Sequence, residues 1–249
     1  MCGRFASTNK PEDLVELFDV AQWDPAETLA PSWNVAPTDG AFAVLERQPK
    51  DGSRPVRQLR VLRWGLVPAW SKSPESAVKM INARAETVHE KPSYRQAFAS
   101  RRCVLPVDGY YEWQTSPGPG GKPRKQPYFV SRTDGGVLAL AGLYEFWRDR
   151  TRPADHPRAW LVTCSVITTA AEPALAPIHE RMPLFLDRAT VGDWLDPALS
   201  DPDELRPLLV APAPGALNAR PVGPAVGSIR NNGPELLLPA EEERESTLF

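Results

Sequence analysis

The sequence predicts an α+β fold dominated by β-strands, with short helices at its periphery. Three observations carry this. Proline is abundant, at 28 of 249 residues, and because proline breaks helix interiors and central ladders it favours many short elements joined by stiff loops. Segments that alternate apolar and polar residues recur along the chain, with a few stretches at helical spacing scattered among them. A hydrophobic content of 42% supplies a proper core for one domain of this length.

Taken in order, Pro11–Asp19 reads as a short packing helix: Pro11, Glu12 and Asp13 fall in its first turn, and Leu14, Leu17 and Phe18 recur on one side. Phe42–Arg47 and Gln58–Arg63 alternate around Pro49-Lys50-Asp51-Gly52-Ser53, a hairpin signal. Trp64–Trp70 is too aromatic and proline-interrupted for a plain strand and is expected as a shaped surface loop. Ser93–Ala99 can form a helix, and Cys103–Val107 and Tyr110–Gln114 read as strands around Asp108-Gly109. Ser116–Gln126, rich in Gly, Pro and Lys, is expected as a mobile loop. Tyr128–Arg132, Val137–Tyr144 and Ala159–Ile167 are further strands, and Thr169–Leu175 and Ala189–Leu195 are short helix candidates.

The formal net charge is −2, of which the run Ala240–Phe249 carries −3, so the body is near neutral. Such a body can still hold phosphate through a local basic cluster. Cys2, Cys103 and Cys164 have no metal-ligand spacing, and no amino-terminal signal precedes Cys2. A reduced, cytoplasmic chain with no metal and no organic cofactor is expected. No apolar run approaches the roughly 20 residues that span a bilayer, so no membrane partner is expected.

Cys2 is the sharpest chemical feature. Aminopeptidases remove Met before small residues, which leaves a 1,2-aminothiol at the new terminus. With reference values of about 7.7–8.0 for an α-amine and about 8.5 for a thiol, both nucleophiles are expected to be available near neutrality. The amine can condense with an aldehyde to a Schiff base, and the thiol can close a thiazolidine on the imine carbon at high effective molarity. A small buried cysteine near a terminus is the alternative. Glu112, flanked by Tyr111 and Trp113, is either an acid/base with a raised pKa or a solvent-facing carboxylate. His179, between Pro177 and Pro183, is either an acid/base or a packing residue. Asn82, Arg84 and Glu86 share one face at strand period, where Asn82 could anchor a substrate oxygen or the terminal amine and Arg84 a phosphate. An Arg84–Glu86 charge pair is the alternative. Arg4, Trp64, Trp70 and Trp113, with the basic group Arg95, Arg101 and Arg102, suit unpaired nucleic acid, which is held by stacking beside a positive groove.

Cys2-Gly3-Arg4-Phe5, Asn34-Val35-Ala36-Pro37-Thr38, Trp64–Trp70, Asn82–Thr87, Gly109–Trp113 and His179-Glu180-Arg181-Met182-Pro183, in this order, resemble the SRAP family, the SOS response-associated peptidase domain. The resemblance implies a compact, barrel-like antiparallel core and a positive groove. It implies a sensor of abasic sites in single-stranded DNA, active in DNA damage and SOS responses, that shields the lesion with a covalent thiazolidine. Cys2 then matches the nucleophile, Asn82 its orienting residue, Glu112 the acid/base at the Schiff base, and His179 the residue assisting ring opening and reversal. Arg4 and Arg84 match phosphate contacts, with Trp64, Trp70 and Trp113 along the DNA. The expected organisation is a single domain over residues 2–210, then a Pro-rich extension and an acidic, disordered tail over 211–249. A monomer is expected, cytoplasmic and nucleoid-associated when on DNA. The family name also records a thiol autopeptidase, but here only Met1 precedes Cys2. The rivals are an amino-terminal-nucleophile amidohydrolase, a class that usually has an aliphatic residue where this chain has Arg4 and uses an Asn-Gly oxyanion pair, and a non-covalent single-strand-binding module.

Overall fold

An odd number of strands that alternate in direction can close into a barrel only through one parallel ladder, and this chain contains such a closure. The computed structural model describes residues 2–49 and 51–240. Its strands are β1 (Arg4–Ser7), β2 (Gln22–Trp23), β3 (Ser32–Val35), β4 (Gly40–Arg47), β5 (Val56–Trp64), β6 (Asn82–Arg84), β7 (Arg102–Val107), β8 (Gly109–Pro117), β9 (Pro123–Arg132), β10 (Leu138–Arg148), β11 (Trp160–Ala170), β12 (Arg181–Pro183) and β13 (Leu217–Pro221). The helices are α1 (Pro11–Leu17), α2 (Arg95–Ser100), α3 (Arg188–Leu195) and α4 (Pro202–Leu205). Strands β5, β4, β7, β10 and β11 pair antiparallel in that order, and β11 returns to β5 in parallel, Thr163 beside Arg63 and Cys164 beside Trp64. The barrel-like antiparallel core expected from the sequence is therefore present, with one parallel seam required by parity. A second sheet has the order β13-β9-β8-β1-β3.

Strand alternation sorts the apolar residues into separate cores. Along β4, Ala41, Ala43 and Leu45 join Trp64, Cys103, Leu105, Tyr144 and Cys164. Phe42 and Val44 turn the other way and meet Leu14 and Phe18 at α1, Phe98 of α2, Trp194 of α3 and Leu205 of α4. The first core also takes in Cys2, Phe5 and Tyr110, so the second sheet lies against it. Gly142 of β10 sits opposite Cys103 on one side and Val166 on the other. A Cβ there would come within 2.5 Å of Leu105 Cδ1 and 3.1 Å of the Ser165 carbonyl, which explains why this position of a tight barrel carries glycine.

Three sequence expectations are corrected. Ser116–Gln126 is not a loop throughout: the β8–β9 ladder persists to Pro117 opposite Pro123, and a single 3-10 turn closes it. Thr169–Leu175 is not a helix, because β11 continues through Ala170 and its end pairs with β12. The β-branched Thr168 and Thr169 fit that extended backbone. Trp64–Trp70 is a surface loop only at its tip, since Trp64, Leu66 and Val67 are buried and Trp70 is 67% exposed.

Residues 211–240 supply β13 and two 3-10 turns, and Val222, Val226 and Leu236 form a third core with Ala6, Tyr111 and Phe129. The acidic run from Glu241 lies outside the described residues. Among those described, no helix is long and apolar enough to cross a membrane.

Candidate active site

Cys2 lies two residues before the start of β1, the strand held between β8 and β3. Its side chain is wholly buried, and its thiol points to the Arg4 carbonyl at 3.7 Å. Asn82, the first residue of β6, donates from Nδ2 to the Cys2 carbonyl at 2.8 Å. The anchor thus grips the nucleophile's backbone, while Asn82 Oδ1 is buried with no hydrogen-bond partner among the described residues. An unsatisfied buried acceptor is costly and marks a place where a donor belongs.

On β8, Tyr110 and Glu112 alternate with Tyr111 and Trp113. Tyr110 faces the core that holds Cys2, whereas Tyr111 and Trp113 pack into the third core on the other face. Glu112 is 5% exposed, and strand period puts it on the side of Tyr110. Burial first, and the Glu112 carboxylate second, push the Cys2 thiol well above its ordinary range. Burial does the same to Tyr110, with Cys2 and the carboxylates of Glu112 and Glu172 adding to it. Thiol, phenol and Glu112 therefore share one poorly solvated neighbourhood.

His179 lies in the turn before β12. Arg181 N–H donates to His179 Nδ1 at 2.9 Å. The same Nδ1 lies 3.2 Å from the Arg181 carbonyl; with Nδ1 accepting the shorter contact, a neutral imidazole carries its proton on Nε2. Arg181 is itself locked by a fork onto Glu86, at 2.5 and 2.9 Å, and by a bond to the Thr168 carbonyl at 2.6 Å. Gln114 Nε2 ties the same turn to β8 through the Pro177 carbonyl at 3.0 Å. Glu86 thus pairs with Arg181 rather than with Arg84.

The expected nucleic-acid contacts divide. Arg84 is exposed on the strand that carries Asn82. Trp70 stands on a loop closed by Leu66 N–H to the Met80 carbonyl at 3.1 Å, two residues before Asn82. Trp64 is a correction: it is fully buried, its ring 4.7 Å from that of Phe5, so no base can stack on it. Arg4 and Trp113 lie on the face of the second sheet opposite Glu112. Arg4 opposes Tyr111 in the ladder, on the face away from Glu112, and its Nη1 bonds Asn34 Oδ1 and the Val226 carbonyl. Trp113 packs on that same far face. The basic trio is dispersed: Arg101 pairs with Glu145 at 2.8 Å, Arg102 is buried, and Arg95 is exposed. Asn232-Gly233, an Asn-Gly pair, is engaged at the other edge of the second sheet, where Asn232 Oδ1 accepts from Trp33 N–H at 2.7 Å.

A family model described as SOS response associated peptidase (SRAP) matches residues 1–229. The chain belongs to the SRAP family. Its SRAP relatives include the abasic site processing protein YoqW of Bacillus subtilis strain 168, 38% identical over 237 residues that cover 95% of this chain and 99% of that protein. The abasic site processing protein HMCES of Rattus norvegicus is 31% identical over 283 residues, covering 97% of this chain and 76% of that protein. Among solved structures, a protein from Bacteroides thetaiotaomicron superposes with a TM-score of 0.79 at 26% identity, covering 96% of this chain and all of that one. A phage-related protein from Bordetella bronchiseptica gives 0.64 at 27%, covering 89% of this chain and 94% of that one. Within this SRAP site, sequence reasoning missed Tyr110 and Arg181. Both lie inside quoted motifs, and the period of β8, which puts Tyr110 with Glu112, was the available signal for the first.

Proposed function

We propose that this protein processes abasic sites in single-stranded DNA by forming a covalent thiazolidine through the amine and thiol of Cys2 once Met1 is removed. The observation that carries the reading is the clamp on Cys2: its carbonyl is fixed by Asn82 at 2.8 Å while its thiol lies within the influence of Glu112. The names of YoqW and HMCES as abasic site processing proteins support the same substrate.

The chemistry follows from which nucleophile is ready. A thiol raised by burial stays protonated at neutral pH, so the amine attacks the aldehyde carbon first and gives a carbinolamine. Loss of one water leaves the imine. The sulfur then bonds to the imine carbon while the S–H proton passes to nitrogen, with Glu112 as the relay, and the ring closes without further loss. Asn82 Oδ1 accepts an N–H of the terminal amine, which holds its lone pair in one direction. His179, donating from Nε2, assists opening of the sugar ring to the aldehyde and, in reverse, release of the crosslink. Arg84 grips a backbone phosphate and Trp70 stacks on a flanking base.

The test is incubation of Met1-processed protein with a single-stranded oligonucleotide carrying one abasic site, followed by a denaturing gel and mass spectrometry of the linked peptide. The expected result is a band that survives without borohydride, maps to Cys2 and disappears in Cys2→Ala. No band from processed protein, together with labelling of Cys2 by a glutamine-analogue inhibitor, would instead favour an amidohydrolase. Equal non-covalent retention of intact and abasic strands would favour a binding module. Glu112→Gln is expected to slow crosslink formation and His179→Ala its reversal, each by about 10²-fold, the lower range for a lost acid/base group. Unchanged rates in both variants would remove them from the proton transfers.

A further inference from the structure

Asn82 sits at the head of a three-residue strand, too short to hold its own register, yet its amide reaches Cys2 at 2.8 Å. The ladder to β11 supports it on one side only. Val166 N–H donates to the Ile81 carbonyl at 2.9 Å, and the alternation of a parallel ladder turns the carbonyl of the next residue, Asn82, away from β11. That outward carbonyl accepts from the Tyr94 hydroxyl at 3.1 Å. The Ile81 carbonyl takes a second donor, Trp64 Nε1–H, at 3.0 Å. Two consecutive carbonyls, that of Ile81 just before β6 and that of Asn82 at its head, are therefore held by side chains that arrive from different elements. Tyr94 comes from the start of α2. Trp64 comes from the end of β5, and its ring packs on Phe5 of β1, three residues after Cys2.

We propose that Tyr94 and Trp64 are positioning residues that act through Asn82 on Cys2. The inference rests on the reading that Asn82 orients Cys2 for attack. Neither side chain touches the reacting atoms. The hydroxyl of Tyr94 fixes the tilt of the Asn82 peptide, and with it the direction in which the side-chain amide leaves the strand. Trp64 fixes the distance between the strand that carries the nucleophile and the strand that carries its anchor, because one ring contacts both. Burial raises the Tyr94 hydroxyl above its ordinary range, so it remains a donor throughout the pH range in which the amine is active. This also gives Trp64 a role that its burial permits, in place of stacking on DNA.

The experiment is a double-mutant cycle on the full, Met1-processed chain with Tyr94→Phe, Asn82→Ala and both together. Single-turnover crosslinking is followed at saturating abasic single strand. Affinity is measured in parallel with an oligonucleotide carrying a tetrahydrofuran abasic analogue, which cannot form an imine. Tyr94→Phe keeps the ring and removes only the hydroxyl, so it is expected to slow crosslinking about fivefold, the worth of one neutral hydrogen bond, with unchanged affinity for the analogue. In the Asn82→Ala background the same change is expected to have no further effect, since a residue acting through Asn82 has nothing left to position. Trp64→Phe, which keeps an aromatic ring against Phe5 and loses the N–H, is expected to show the same dependence on Asn82. If Tyr94→Phe and Asn82→Ala slow the reaction independently, or if Tyr94→Phe alone changes nothing while Asn82→Ala does, the positioning role is overturned. If Asn82→Ala leaves the crosslinking rate intact, the underlying reading of Asn82 fails instead. Equal losses of rate and of analogue affinity in Tyr94→Phe would indicate a general structural role and also overturn the proposal.

Discussion

At the scale of single residues, the environment of Cys2 decides which of its two nucleophiles leads. Burial and the Glu112 carboxylate hold its thiol well above the ordinary range, so the thiolate that a free cysteine forms near about 8.5 does not appear there. Crosslinking rates measured across the neutral and alkaline range are accordingly expected to rise with deprotonation of the terminal amine and level off above about 8. No second rise is expected where free thiols ionise; a second rise near that value would show that processing exposes the thiol to water. Cys2, Asn82, Glu112 and His179 could be proposed from the sequence because each lies in a local motif whose residue types limit the chemistry. What the amide of Asn82 holds was not legible. It grips the Cys2 carbonyl, a contact across 80 residues that depends on β6 docking beside β11. Trp64 was misassigned for a related reason: an aromatic in a Trp-Gly-Leu-Val-Pro-Ala-Trp run has the same composition whether it lines a groove or, like Trp64, fills a core.

At the scale of elements, α2 and α3 are short and gain little from their own hydrogen bonds. They are tied to the barrel by Arg102 at the start of β7. Its guanidinium donates to the carbonyls of Phe98, Ala99, Trp194, Asp196 and Leu199, at 2.5–2.9 Å, and stacks 5.8 Å from the Trp194 ring centroid. Those of Phe98, Ala99, Trp194 and Asp196 are carbonyls that short helices leave unpaired at their ends. Arg102→Met is expected to destabilise the fold by about 3 kcal/mol, since several buried acceptors lose their donor at once. The check is a lower urea midpoint with an unchanged slope, and an unchanged midpoint would mean that water replaces the guanidinium. In the sequence Arg102 reads as one of a basic group with Arg95 and Arg101. The signal the sequence could not supply is that five main-chain oxygens from three segments converge on one point. The strands themselves were legible, because alternation and the β-branched and aromatic residues act locally. Their ends were not, because β11 and the β8–β9 hairpin are prolonged by partners rather than by propensity.

At the scale of the whole molecule, burial has collected groups that resist ionisation. The thiols of Cys2, Cys103 and Cys164 and the hydroxyls of Tyr94, Tyr110, Tyr111 and Tyr144 all titrate above their ordinary values, chiefly through burial. In the unfolded chain the thiols lose protons near about 8.5 and the phenols near about 10. Above those values the unfolded state binds fewer protons than the folded one, so stability falls as pH rises. Thermal midpoints are expected to decline from about pH 8.5 and more steeply beyond about 10; a flat profile across that range would mean that these groups reach solvent in the folded protein. The barrel and its peripheral helices were legible in outline, but the packing of residues 211–240 was not, since proline-rich composition predicts stiffness without saying what it lies against. One arrangement also has a mechanical consequence. β1 begins two residues after Cys2 and runs between β8 and β3, bonded to both. A DNA strand joined at Cys2 would transmit any pulling force, from a motor moving along it, to an interior strand of that sheet, paired with β8 from Arg4 onward and with β3 from Phe5 onward. Load applied through the lesion must then break two ladders together, so the linkage enters the protein at a mechanically protected point.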